Sequence, residues 1–453
     1  MTSDTTVPAA APGARAADAG KSPQQQLKER TARLEDAYAL RKPDRVPIVM
    51  PASYFLADWG GVSHQRLVED DATRQRLLEE AALHFQPDSI FGVFNDLRAP
   101  LALGDRMTKF PGHGLPENGS FQFAEHEFMT PDDYGPFLKD PADWSIRTYL
   151  PRAFEKLEGL AALPPLGMAA FGTYNLLNLG ALTKPPVADA LKALAAAAEG
   201  QAASDAWMAA SEQRMAELGF APPPLAGSLI EAPFDFMSDT LRGMRGVMTD
   251  MLRRPEQLLA AEERALEFQL EHALSFARAT GLRHAFIPLH RGSDGFMSIA
   301  QFERFYWPQL LAMQLRLIDA DITPVCFYEG VWNKRLDYIA DLPRGKTIGW
   351  FQRSDIFQVK EVAGKTLCIM GGMPNTLLQA GTAEEVRMRT REVCQRAGAG
   401  GGFVMCTGIG EMEGCRPDLV EAWVQATREF GEVSPRHRGP VAEAPQSPRV
   451  RSG

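Results

Sequence analysis

Two carboxylates stand just past strand-like apolar runs in this 453-residue chain. Asp96 follows DSIFGVF (88–94) and Asn95, and Glu329 closes the run TPVCFY (323–328). An unpaired charge beside apolar surface is expensive. A carboxyl in such a place has its pKa raised and can lend a proton to a leaving oxygen. Other groups able to bind or react recur at the same kind of position. These are Ser53 and Tyr54 after VPIVMP (46–51), Glu231, Asp235 and Asp239 after PLAGSLI (224–230), and His290 and Arg291 after HAFIPL (284–289). Tyr328 precedes Glu329; Gln352 and Asp355 follow KTIGWF (346–351); Gly371, Gly372 and Asn375 follow KTLCIM (365–370); Cys406 and Thr407 end GGFVMC (401–406). Loop and helix-cap roles compete for each of them, most of all for Asp235 and Asp239. Tyr54, Trp59 and Trp332 suit either the walls of an organic-substrate pocket or plain packing.

What would hold such a set together is a strand-and-helix alternation. The eight apolar runs are nearly free of charge, and several lead into amphipathic segments such as FERFYWPQLLAMQLRLIDA and EEVRMRTREVCQRAG. Alternation of this kind implies parallel strands, and eight units of it predict a (β/α)₈ TIM barrel, whose chemistry sits at the C-terminal ends of its strands. A ninth apolar run, LGMAAFGTYNLLNLG (166–180), leads into an Ala-rich helical stretch, and both are assigned to a helical insertion at about 150–220. Low-complexity ends over 1–24 and 433–453 are expected to be disordered, leaving 25–432 as the barrel.

Composition removes several functions. The net charge of −9 excludes a phosphate-binding surface of clustered Lys and Arg, and so a nucleic-acid partner. No run of 18 uncharged apolar residues exists to span a membrane, and no secretory leader is visible. Five cysteines read as reduced thiols of a cytoplasmic enzyme. The Gly-rich GAGGGF (398–403) precedes a strand and reads as a turn, not a phosphate cradle.

Three stretches resemble the uroporphyrinogen decarboxylase superfamily, which also holds corrinoid-dependent methyltransferases. They are DSIFGVFNDLRAPLALGDRMTKFPGHGLP (88–116), EAPFDFMSDTLRGMRGVMTDMLRRPEQL (231–258), and CIMGGMPNTLLQAGTAEEVRMRTREV with GGFVMCTGIGEMEGCRPDLVEAW (368–423). With RKPDRVPI near the start, the likeness covers most of the body and implies the barrel. The decarboxylase's catalytic aspartate is matched by Asp96. Its paired arginines are absent from the matching loop PASYFLADWGG, its tyrosine falls at Asp239, and its Gly-His-Gly reads Cys406-Thr407-Gly408. Arg98 and Arg291 are the cations at hand to replace the missing pair. An acid-rich site suits a polycarboxylate poorly, so decarboxylation of uroporphyrinogen in tetrapyrrole biosynthesis is the alternative reading here.

The methyltransferase branch is the leading one. Its thiol-methylating members hold zinc with a His-x-Cys and a later cysteine. The first pair aligns with Phe327 and Glu329, the last with Thr407 beside Cys406. The resemblance thus implies either a zinc site of Glu329, Cys406 and His290, or a metal-free site in which Glu329 is the acid. Asp96, Glu329, His290 and Tyr328 are the catalytic candidates. Tyr54, Asn95, Arg98, Glu231, Asp239, Arg291, Trp332, Asp355, Asn375 and Thr407 are the candidates for substrate binding. The expected reaction is demethylation of a small methoxylated donor, with cobalamin as acceptor. The corrinoid is expected either on a partner corrinoid protein or bound at the barrel mouth, and with no Asp-x-His-x-x-Gly stretch present no corrinoid domain is carried in this sequence. A homodimer is implied by the resemblance alone. A non-catalytic corrinoid or tetrapyrrole carrier is the third reading.

Overall fold

The computed structural model describes residues 20–93, 96–165, 176–408 and 412–432. Asn95, most of the run at 166–180 and nearly all of both terminal tails lie outside these. Helix α1 (Pro23–Tyr38) opens the described chain; Ser22 caps it by accepting the Gln25 N–H, and Pro23 takes the first turn, where no N–H is needed.

Each of the eight apolar runs contains a strand. They are β1 (Val49–Pro51), β2 (Ser89–Phe91), β3 (Ser228–Leu229), β4 (His284–Leu289), β5 (Thr323–Tyr328), β6 (Ile348–Phe351), β7 (Cys368–Met373) and β8 (Phe403–Thr407). Strands β3 to β8 form one parallel sheet in chain order, and β1 pairs with β2 in parallel. A parallel bridge between Ile48 and Met405 joins the two pieces. The order is therefore β2-β1-β8-β7-β6-β5-β4-β3, and among the described residues no ladder links β2 to β3.

Side chains on one face of this sheet meet in a single central cluster that draws on β1, β2, β5, β6, β7 and β8. Phe91 of β2 packs edge-on against Trp350 of β6, with ring centroids 6.4 Å apart. Strands four places apart in the order can touch only if the sheet curls around that cluster. Alternation then sorts every strand into two faces. In β5, Val325 and Phe327 face the central cluster, while Cys326 and Tyr328 pack into the outer core beneath the helices. In β8, Val404 and Cys406 face inward, and Phe403 and Met405 outward.

Helix α1 contributes Leu34 and Ala37 to the central cluster. Its Arg33 pairs with Asp88 at the start of β2, so α1 seals the N-terminal ends of the strands. Helix α2 (Asp71–Phe85) covers β2. The long excursion between β2 and β3 carries a small sheet of Thr108–Pro111, Gly114–Leu115 and Gln122–Phe123, and then helix α3 (Pro185–Glu217), which falls within the predicted insertion. Helix α4 (Pro255–Thr280) precedes β4. Among the described residues no helix is long and apolar enough to cross a membrane, and all five cysteines are buried and unpaired.

Candidate active site

The C-terminal ends of β3, β4 and β5 bring together Glu231, His290 and Glu329. In each strand the alternation set by the residues below points these three inward: Leu229 under Glu231, Pro288 under His290, Phe327 under Glu329. His290 is the centre. Its Nδ1 lies 2.5 Å from Asp239 Oδ2, and its Nε2 3.2 Å from Glu329 Oε1. Burial opposes the charged ring, but the two carboxylates outweigh it and push His290 up to about 11. The imidazole is therefore a cation clamped between two anions.

Asp239 is also held by Arg291, whose Nε and Nη2 lie 3.0 and 2.5 Å from its Oδ1. Against the effect of burial, His290 and Arg291 keep Asp239 below the ordinary carboxylate range. Ser238 Oγ accepts from the Arg291 Nε at 2.9 Å. Underneath sits Asp235, fully buried. It accepts the backbone N–H of His290 at 3.0 Å and of Arg291 at 2.9 Å, and the Tyr306 hydroxyl at 2.5 Å. Asp235 thus fixes the backbone that aims His290. Glu231 is fastened through its own backbone: Gln269 of α4 accepts from its N–H and donates to its C=O, while Thr240 donates to its side chain. Burial, with the charge of Asp239, pushes Glu231 up to about 7. On the same helix, two turns before Gln269, Glu262 is buried with neither carboxyl oxygen hydrogen-bonded, and burial raises it well above the ordinary value.

Two of these groups ride on π-helical turns. Asp239 lies in Phe236–Arg242 and Tyr306 ends Phe302–Tyr306. Such widened turns re-aim side chains and are frequent at functional sites.

Of the residues expected from sequence, His290, Arg291, Asp239, Glu231 and Glu329 converge. Asp96 stands in a separate ion cluster. It accepts from the Arg98 backbone at 2.9 Å and from its guanidinium at 2.5 Å, and lies 3.8 Å from Arg74. Arg98 and Arg74 both also contact Asp71, and Arg74 stacks 3.9 Å from the Trp207 ring of α3. Arg98 is committed to this cluster.

The structure places the remaining candidates away from the His290 cluster or in other surroundings. Tyr328 falls on the outer face of β5, fully buried and stacked on Phe351 at 4.5 Å, and so touches no site. Trp332 is buried core, packed on Tyr306, with its indole N–H donating to the Glu329 carbonyl at 2.7 Å; it props the loop that carries Glu329. Tyr54 is buried and stacked on His64 at 4.5 Å. Asp355 is an exposed cap, accepting the Phe357 and Gln358 N–H groups. Asn375 is buried at the start of a short helix after β7, and Thr407 is buried at the end of β8, its carbonyl accepting from Trp350. Glu329 does not lie in an apolar mouth, as its side chain is 36% exposed and paired with His290.

The zinc donors do not fit. Cys406 faces the packed interior, fully buried, and burial pushes its thiol up, away from the thiolate that zinc requires. No cluster of three His, Cys, Asp or Glu side chains suited to a metal ion occurs among the described residues.

Tyr306 and Gln269 were missed as site residues, and Asp235, noted beside Glu231 and Asp239, was not carried into the candidate site. An aspartate opening a helix reads as a cap, and Tyr306 and Gln269 sit inside amphipathic helices where they read as core or surface.

The sequence model of the family described as Uroporphyrinogen decarboxylase (URO-D) matches residues 183–430, which span β3 to β8 and every member of the His290 cluster. Among solved structures, the chain is similar to a methyltransferase from Methanosarcina mazei, with a TM-score of 0.57 at 16% identity, over 88% of this chain and 98% of that one. That likeness bears on the fold alone. No curated protein matches the sequence.

Proposed function

The chain belongs to the uroporphyrinogen decarboxylase family, and on that premise we propose that it is a methyl-transfer enzyme. It takes the methyl group of a small methoxylated donor and passes it to cob(I)alamin, held by a separate corrinoid protein. The observation that carries this reading is the His290 imidazolium set between Asp239 and Glu329. We also read the curled parallel sheet, with its eight strands in sequential order, as a closed (β/α)₈ barrel.

An ether oxygen leaves badly as an anion. As the carbon–oxygen bond breaks, with its electron pair going to oxygen, a proton must arrive there. His290 stores that proton, and Glu329 lies 3.2 Å from the ring nitrogen facing the rim. A phenol titrates near ~10, close to the value of about 11 that the two carboxylates impose on His290. The ring is therefore protonated at neutral pH and holds a proton in reserve for an oxygen that leaves as a strong base. Asp239, anchored by Arg291, keeps the ring charged and oriented. Asp235 and Tyr306 hold the backbone behind it. The partial exposure of Glu329 and His290 lets a proton return from solvent and lets an acceptor on another protein reach the donor's methyl group. The corrinoid is the acceptor substrate and supplies the nucleophile; zinc has no part in this reading.

The same geometry counts against a polycarboxylate. Glu231, Asp235, Asp239 and Glu329 surround two cations that are already paired, and both oxygens of Asp96 are engaged by Arg98. Pyrrole N–H groups would have to displace those contacts.

The test is to mix the protein with cob(I)alamin and a broad panel of methoxylated compounds and follow methylcobalamin by its visible spectrum. Glu329→Gln and His290→Gln should each lower the rate ~10²–10⁴-fold. Failure of every donor to yield methylcobalamin would remove the proposal.

A further inference from the structure

We infer that the wall directly below the acid cluster, formed by Leu229 and Pro288, is an apolar subsite for the uncharged body of the methyl donor, and that it turns away donors bearing a carboxylate. The inference rests on the methyl-transfer reading for what is bound there, but its binding test does not.

The position follows from strand parity. Ile230 packs into the outer core, so its neighbours Leu229 and Glu231 point the other way, to the inside. Leu229 pairs in register with Phe286, which packs against the central cluster. Phe286, Pro288 and His290 share that inner face of β4. Elsewhere around the interior the inward side chains are tightly packed: Val325, Ile348, Trp350, Met370 and Val404 are at most 1% exposed. Leu229 is 60% exposed, and Phe286 and Pro288 are half-buried. Leaving a leucine unburied forgoes the gain of removing apolar surface from water, so an exposed, inward-facing leucine in a strand is a surface that an apolar occupant would cover. The clefts of about 400 Å³ beside Arg389 and about 430 Å³ beside Arg316 are lined by none of these residues.

Height and charge select the occupant. Two residues along a strand advance ~6.6 Å, so a ring resting on Leu229 and Pro288 brings its substituent oxygen to the level of Glu231 and His290. That rim is acid-rich, with Arg291 already bound to Asp239. A second carboxylate would face Glu231 and Glu329 with no free cation among the groups of the cluster. A flat, neutral methoxyaryl group fits; its carboxylated analogue does not.

The experiment compares methoxybenzene with 4-methoxybenzoate by calorimetric titration, on the wild type, Leu229→Trp and Leu229→Ala. Because Leu229 is exposed, neither substitution disturbs packed core, and thermal melts check this. Methoxybenzene should bind the wild type at least tenfold more tightly than 4-methoxybenzoate. Leu229→Trp, which fills the space, should weaken it at least tenfold, and Leu229→Ala only a few-fold. Equal binding of the two compounds, no binding of methoxybenzene to the wild type, or indifference to Leu229→Trp would each overturn the subsite. Leu229-dependent binding without methyl transfer to cob(I)alamin would keep the subsite and sink the reaction. Transfer with an unchanged KM in Leu229→Trp would do the reverse.

Discussion

His290 carries opposing demands. Burial alone would strip its proton, yet Asp239 and Glu329 keep it. A histidine raised above its unfolded value near ~6.5 adds stability in full below that pH and loses it as the pH climbs to about 11. The difference in urea midpoint between the wild type and His290→Gln should therefore be widest in mild acid and shrink in alkali. Imidazole NMR should show His290 protonated throughout the neutral range, and Asp239→Asn should bring its titration down toward the ordinary value. A ring that titrates near ~6.5 with Asp239 intact would contradict the clamp. Glu329 and His290 were legible from sequence as groups delivered at strand ends. Asp235 stood beside them, but its anchoring role was not legible, because it lies in two backbone N–H groups 55 and 56 residues away.

At the scale of elements, the site depends on a close stack behind the loop after β4. A Cβ added at Gly292 would come within 2.3 Å of the Trp332 ring and 2.5 Å of the Tyr306 ring. Tyr306 is the donor to Asp235, and Trp332 braces the loop bearing Glu329. Gly292→Ala should cost ~1–3 kcal/mol by overpacking. It should also lower methyl-transfer activity by moving Tyr306 away from Asp235, whereas a surface Gly→Ala such as at Gly295, where nothing lies within 4 Å, should leave activity unchanged. Denaturant melts and initial rates on both variants decide this. The π-turns that carry Asp239 and Tyr306 have no local signature in the chain. A residue is inserted into a helix only when tertiary contacts such as Arg291 with Asp239 stabilise the wider turn.

Over the whole molecule, the curled sheet is held at its base by one buried carboxylate. Asp88 accepts from Arg45 at 2.8 Å and from the Ile48 N–H at 2.8 Å, and pairs with Arg33 of α1. Burial opposes its charge, but Arg45 and Arg33 hold it well below the ordinary carboxylate range. Asp88→Asn leaves the nearly buried Arg45 without its carboxylate and Arg33 with Asp44 alone, and should cost ~3–5 kcal/mol. That advantage of the wild type is present above the unfolded value near ~3.9 and is lost as the pH falls through the lower folded one. Urea melts of both proteins across acid pH measure it. The eight strands were readable because each is a short apolar run with turn residues at its ends, and burial on both faces demands such runs wherever they lie in the chain. Local composition thus determined the strands, their parallel order and the delivery of His290, Arg291 and Glu329 to a common rim. Tertiary structure alone decided that Tyr328 turns outward while Glu329 turns inward, that Asp96 meets Arg74, and that Asp235 anchors the site. Those outcomes hang on strand phase and on partners far away in the chain, which no local pattern encodes.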